Sequence, residues 1–180
     1  MSAEHAGTDI TPLFSAEAIG NRIREIGREI SGDYAGASPL YPLQLIVVLK
    51  GAFIFAADLV RTISVPCRID FIHASSYGSE KTSSGSVTIR HNLNIAGRHL
   101  LLVEDIIDTG LTMQQIASEL MAMKPASLRI CTLLDKPDAR IHPVEIAYTG
   151  FSVPDKFIVG YGVDYDEHYR ELPAIGVLNS

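Results

Sequence analysis

Apolar residues recur along the chain in two rhythms. Ile19, Ile23, Ile26 and Ile30 are spaced as one face of a helix, with Ser15 placed as its N-cap and Gly32 as its stop. LQLIVVL, Leu43–Leu49, is instead a continuous, β-branched run between Pro42 and Lys50-Gly51, the pattern of a strand buried on both faces. The same reading predicts a helix over residues 52–63, a strand over 67–75, a buried strand over 99–103 and a helix over 112–123 closed by Pro125. Further buried strands are predicted over 128–134 and 157–160. Between these elements YGSEKTSSGS, residues 77–86, holds nothing apolar after its tyrosine and reads as a long exposed loop with β-ribbon flanks.

Continuous apolar strands alternating with helices predict an α/β fold: a central, mostly parallel sheet with helices on both faces. In such sheets ligands bind beyond the carboxyl ends of the strands. Three polar clusters fall there: Lys50-Gly51, residues 104–112, and Asp135-Lys136.

Composition narrows the class. At 180 residues the chain fits one domain, residues 1–180, with a sizeable core of its own. Fifteen basic against twenty-one acidic residues give a net charge of −6, which argues against nucleic acid or an anionic membrane as a dominant partner. The N-terminus shows no signal-peptide pattern, and the apolar stretch LIVVLKGAFIFAADLV is broken by Lys50 and Asp58 too soon to span a bilayer. The expected compartment is cytoplasmic. Two cysteines make neither a disulfide framework nor a metal cluster.

The chemistry concentrates in LLVEDIIDTGLT. Gly110 in a strand-to-helix turn allows the close approach that an anion cradle needs, and Thr109 and Thr112 add hydroxyl donors to the positive end of the helix. The plain alternative is a capped turn and nothing more. Glu104 and Asp105 alter that balance, because carboxylates at the end of a buried strand are costly unless something satisfies them. Sugar hydroxyls or a magnesium ion would do so. A phosphate on the helix end, with the acids facing the attached sugar, reconciles an anion site with so much negative charge.

VEDIIDTGLT resembles the phosphoribosyl pyrophosphate (PRPP) motif of type I phosphoribosyltransferases. More specifically, VLKGAFIFAADL, SSYGS, VEDIIDTGLTM, LLDKPDAR and PDKFIVGYGVDYDEHYRELP are similar, in order and spacing, to the hypoxanthine–guanine phosphoribosyltransferases. The matches span most of the chain from Val47 to Pro173. The resemblance implies the type I phosphoribosyltransferase fold with a small hood, contributed by the N-terminal and C-terminal segments. It also implies transfer of the 5-phosphoribosyl group from PRPP to hypoxanthine or guanine, with release of pyrophosphate.

By this resemblance Glu104 and Asp105 bind the ribose hydroxyls, and Asp108, Thr109, Gly110, Leu111 and Thr112 hold the 5′-phosphate. Asp108 is also the acid/base group at the purine N7. Lys50 and Gly51 cradle pyrophosphate through a peptide that is often cis, and Arg170 binds the same group. Lys136 donates to the purine 6-oxo group, Phe157 stacks on the base, and the Ile158 backbone meets its 2-position. Asp164 borders the purine site and holds a second Mg²⁺, while Glu104 and Asp105 serve the first. Ser76 and Tyr77 sit on the loop that closes over the reaction. The family further implies a homodimer or homotetramer.

Each assignment has a simpler counterpart. A lysine before Pro137 is ordinarily solvated, Phe157 in an apolar run is ordinarily core, and Asp164, Asp166 and Glu167 could form a solvated acidic turn. Two other functions share much of the pattern: a phosphoribosyltransferase for another base, such as xanthine, and a PRPP-sensing regulator of the same fold. The first should lack Lys136 and Phe157; the second needs a basic face to bind nucleic acid.

Overall fold

The computed structural model describes residues 9–38, 40, 42–76, 87–90 and 93–179. In chain order the elements are β1 (Ile10–Phe14), α1 (Ala16–Asp33), β2 (Leu43–Leu49), α2 (Phe53–Val60), β3 (Cys67–Ser76) and β4 (Val87–Arg90). They continue with β5 (His99–Ile107), α3 (Leu111–Ala122), β6 (Ser127–Asp135), β7 (Tyr148–Ser152), β8 (Ile158–Val159) and β9 (Ile175–Leu178).

A six-stranded sheet has the order β4-β3-β2-β5-β6-β7, parallel throughout except for β4. Alternation along β2 divides the core. Leu43, Leu45 and Val47 pack with α1 and α2, whereas Ile46 and Val48 pack with α3. Helices therefore cover both faces, as the continuous apolar runs predict. Because the chain leaves β2 for β3 on one side and β5 continues to β6 on the other, the strand order reverses between β2 and β5. That reversal opens a crevice at their carboxyl ends.

Helix α1 begins as predicted, the Ser15 hydroxyl accepting from the Ala18 N–H at 3.2 Å. It runs one residue past Gly32, and the Tyr34 N–H closes it on the Ile30 carbonyl at 3.0 Å. Helix α2 ends three residues short of the expected Ile63. The Thr62 N–H and hydroxyl both donate to the Leu59 carbonyl, at 2.9 and 2.7 Å, and tighten the last turn out of the helix.

Three differences matter for the site. Strand β5 does not end at Val103: its ladder with β6 continues through Glu104↔Thr132 to Ile107↔Asp135, so both acids lie within the strand. Residues 157–160 do not add a strand to the parallel sheet. Only Ile158–Val159 is extended, and it pairs with β9 in a separate three-stranded antiparallel sheet, β1-β9-β8. The strand completing the parallel sheet is β7, YTGFS, whose apolar run is too short and too interrupted to stand out.

The ribbon flanks of the serine-rich loop are present as the antiparallel pair β3–β4. The loop itself, residues 77–86 with Tyr77, lies outside the described residues; Ser76 is the last residue of β3.

Candidate active site at the carboxyl edge of the sheet

Glu104 and Asp105 are each 8% exposed. Among the described residues no lysine, arginine or histidine forms an ion pair with either. The Asp105 N–H donates to Glu104 Oε1 at 3.1 Å, which satisfies one lone pair only. Burial, followed by the neighbouring Asp105 charge, holds the Glu104 carboxyl well above the usual range. Two buried acids with no counter-charge among the described residues suit a cation or hydroxyl donors as their partner.

The turn after β2 closes over these acids. The Leu49–Lys50 peptide is cis, the conformation the resemblance leads one to expect. A Cβ on Gly51 would overlap the Asp105 carboxylate, so any larger residue would have to push that carboxylate aside. Lys50 Nζ donates to Glu167 Oε2 at 2.8 Å. The other oxygen of Glu167 lies 3.3 Å from Arg170 Nη2, which is also 2.8 Å from Asp164 Oδ1. Arg170 Nη1 donates to the Gly162 carbonyl at 2.8 Å.

Glu167 thus spans the two cations expected to hold pyrophosphate, one oxygen on each. It does so from a left-handed backbone, φ 64°, and the contact with Lys50 lowers its carboxyl pKa. Asp164 is engaged from both sides, its second oxygen accepting from the Glu167 N–H at 2.9 Å.

The turn after β5 is held from outside. The Thr109 carbonyl accepts from the N–H groups of Ile141 and His142 at 3.0 and 2.9 Å. Gly110 has φ 88°, and a Cβ there would meet the His142 carbonyl. Glycine is required on both counts. The first full-turn bond of α3 runs from the Gln114 N–H to the Gly110 carbonyl at 3.0 Å, and the Leu111 N–H has only a long contact, 3.5 Å, to the Thr109 hydroxyl, so this helix end suits an anion. Thr109 and Asp108 are exposed, while Leu111 and Thr112 are half-buried.

Lys136, just past β6, is not a solvated lysine. It is 7% exposed, its N–H donates to the Ile107 carbonyl at 3.0 Å, and its Nζ lies 3.3 Å from Asp108 Oδ2 and 3.7 Å from Asp155 Oδ1. It lines a cleft of about 450 Å³ together with Asp155, Lys156, Phe157, Leu178 and Asn179. Phe157 is 63% exposed, its edge against Tyr165 at a centroid distance of 5.5 Å. An aromatic face left open at a cleft is a stacking platform, not a core residue. Ile158 beside it is buried and paired with Val177.

The structure therefore gathers Lys50, Gly51, Glu104, Asp105, Asp108–Thr112, Lys136, Phe157, Asp164 and Arg170 along one edge. Sequence reasoning did not single out Asp155 or the β9 residues of the cleft, nor Glu167 as a partner of Lys50. The only signal for Asp155 and Glu167 was their acidity within PDKF and DYDEHYR, and the β9 residues carried none. The donor set suits magnesium. Among the described residues no cluster of three or more metal-ligating side chains occurs, but Mg²⁺ is ordinarily held by one or two carboxylates plus substrate phosphates and water.

Residues 10–166 match the phosphoribosyl transferase domain family. The hypoxanthine-guanine phosphoribosyltransferase of Mycobacterium avium is 52% identical over 171 residues, covering 93% of this chain and 84% of that protein. Among solved structures, a substrate complex of the hypoxanthine phosphoribosyltransferase of Trypanosoma cruzi is similar with a TM-score of 0.89, at 43% identity over 96% of each chain. A hypoxanthine-guanine phosphoribosyltransferase of Bacillus anthracis gives 0.87, at 42% identity over 95% of this chain and 100% of that one.

Proposed function

The chain belongs to the phosphoribosyltransferase family, and from that premise we propose that it is a purine-salvage enzyme. It transfers the 5-phosphoribosyl group of PRPP to hypoxanthine or guanine, forming IMP or GMP and pyrophosphate. The observation that carries this reading is the adjacency of two features at the β2–β5 crevice. A buried acid pair without a counter-charge lies beside a helix N-terminus, and a buried lysine touches the carboxylate of that same turn.

The roles follow from chemistry. N–H groups and hydroxyls of residues 109–112 bind the 5′-phosphate, and Glu104 and Asp105 accept from the ribose hydroxyls. Lys50 and Arg170 receive the charge of departing pyrophosphate, exchanging Glu167 for it. As the C1–oxygen bond breaks, its electron pair leaves with pyrophosphate and the sugar gains oxocarbenium character, as in glycoside cleavage. N9 of the purine then closes on C1. The purine must lose a proton, and Asp108 takes it at N7. Lys136 donates to O6, Phe157 covers the ring, and the Ile158 backbone borders the 2-position.

Glu104 and Asp105, with Asp164 on the pyrophosphate side, would hold Mg²⁺, which supplies positive charge to the leaving group when bound. A homodimer or homotetramer as working form rests on the resemblance.

The test is a panel of bases with PRPP and Mg²⁺, followed by pyrophosphate release. Hypoxanthine and guanine should support turnover and adenine should not. Preference for adenine, or no turnover with any base, would contradict the reading.

A further inference from the structure

The loop that carries Asp164, Glu167 and Arg170 has an uncommon backbone. Tyr161, Asp166, Glu167 and Tyr169, none of them glycine, all lie in the left-handed region, with φ of 52°, 51°, 64° and 73°. A bulky residue in this region is rare and is held there by its surroundings, most often beside a functional site. Tyr161 is 8% exposed. Its N–H donates to the Leu172 carbonyl at 2.8 Å, and its hydroxyl donates to Asp58 Oδ2 in α2. The other oxygen of Asp58 is paired with Arg61. Burial, followed by the Asp58 hydrogen bond, pushes the Tyr161 phenol well above its ordinary range, so it stays a donor at neutral pH.

This contact joins the two halves of the pyrophosphate end. Helix α2 starts at Phe53, whose N–H donates back to the Lys50 carbonyl at 3.3 Å, so Asp58 belongs to the same rigid piece as the Lys50-Gly51 turn. On the other side, Gly162 follows Tyr161 and is bonded to Arg170 twice. The Gly162 N–H donates to the Arg170 carbonyl at 2.9 Å, and Arg170 Nη1 donates to the Gly162 carbonyl at 2.8 Å. A Cβ on Gly162 would meet the Gly51 carbonyl, so the two turns touch. Glu167 also bridges Lys50 and Arg170, but that exposed ion pair has to open when an anion enters. The Tyr161–Asp58 bond lies outside the anion position and does not.

We propose that Tyr161 is a positioning residue for the leaving group. Its hydroxyl, held on Asp58, fixes the loop of Arg170 against α2, and so fixes the gap between Lys50 and Arg170 across which pyrophosphate is bound. The proposal rests on the phosphoribosyl reading given above. The same bond offsets the cost of the left-handed backbone. Without it Tyr161 relaxes, and Gly162 carries Arg170 away from the Gly51 turn. Two cations set at the wrong separation bind a rigid dianionic bridge less well, although each keeps its charge.

Tyr161→Phe keeps the ring and removes only the hydroxyl. Pyrophosphate with Mg²⁺, titrated calorimetrically into the full chain, should bind the variant about three- to tenfold more weakly than the parent, the loss expected for one hydrogen bond. IMP needs the 5′-phosphate turn and the purine cleft but neither cation, so its affinity should stay within about twofold. Asp58→Ala should match Tyr161→Phe, and the double variant should be no weaker than either single one. Asp58→Asn still offers an amide oxygen to the phenol and should restore the parent affinity. Unchanged pyrophosphate affinity in Tyr161→Phe, an equal loss for IMP, additive losses in the double variant, or a parent that does not bind pyrophosphate overturns the proposal. A parent that binds pyrophosphate but not IMP sinks the phosphoribosyl reading instead, and the pyrophosphate affinities of the variants then decide the role of Tyr161 on their own.

Discussion

The ammonium of Lys136 lies 3.3 Å from the Asp108 carboxylate, joining the residue after β6 to the turn after β5. Asp155 stands 3.7 Å from the same nitrogen. A nearly buried cation is thereby shared by two exposed carboxylates at the mouth of the cleft. On the proposed reading, an entering purine would draw Lys136 to O6 while Asp155 still balances its charge, which would free Asp108 to face N7.

Asp108→Asn should lower turnover by roughly 10²–10⁴-fold, the range for losing a general acid or base. PRPP binding should weaken far less, because backbone and hydroxyl donors hold the phosphate. Steady-state kinetics beside direct PRPP titration separates the two effects, and near-normal turnover would remove Asp108 from the mechanism.

Lys136→Gln should blur the distinction between 6-oxo and 6-amino purines, since an amide can both donate and accept. The readout is the ratio of kcat/KM for hypoxanthine to that for adenine. An unchanged ratio would mean that O6 is read elsewhere.

Glu167→Gln should tighten pyrophosphate binding. Its carboxylate sits on Lys50 and Arg170, so an incoming anion has to displace it. Because the ion pair is exposed and screened by solvent, the gain should be small, about a few-fold at most. Calorimetric titration with pyrophosphate and Mg²⁺ gives the number; weaker binding by the variant would show that Glu167 organises the two cations and does not compete for them.

The buried acids predict a pH-dependent trade between stability and function. Glu104 titrates in the folded chain above its ordinary value of 4.5, so between that value and the raised one the folded state binds more protons than the unfolded state. Stability therefore falls as pH rises through this window. Glu104→Gln removes the penalty. The variant should melt higher than the parent at pH 7–8, on the order of 2–4 °C for each kcal/mol relieved, and the difference should fade toward pH 4. A variant that melts lower at neutral pH would mean that Glu104 is already satisfied in the free protein.

How much of this was legible in the sequence depended on whether a feature is local. Continuous apolar runs betrayed β2, β5 and β6, because strands buried on both faces leave few polar positions. The end of β5 was hidden for the converse reason. Glu104 and Asp105 break the apolar run while the backbone ladder to β6 continues beneath them. Strands β1 and β9 pair Ile10 with Leu178 at opposite ends of the chain, and no window of sequence contains that contact. The sharing of Lys136 between Asp108 and Asp155, and of Glu167 between Lys50 and Arg170, likewise arises only when separate loops meet at one sheet edge.

The most direct test of the central claim is a single incubation with PRPP, Mg²⁺ and equal amounts of hypoxanthine, guanine, xanthine and adenine, with the nucleotide products resolved by mass. IMP and GMP should form, each matched by one pyrophosphate, while AMP stays at background. AMP as the main product, or pyrophosphate released with no nucleotide formed, would contradict the assignment of this chain as a 6-oxopurine phosphoribosyltransferase.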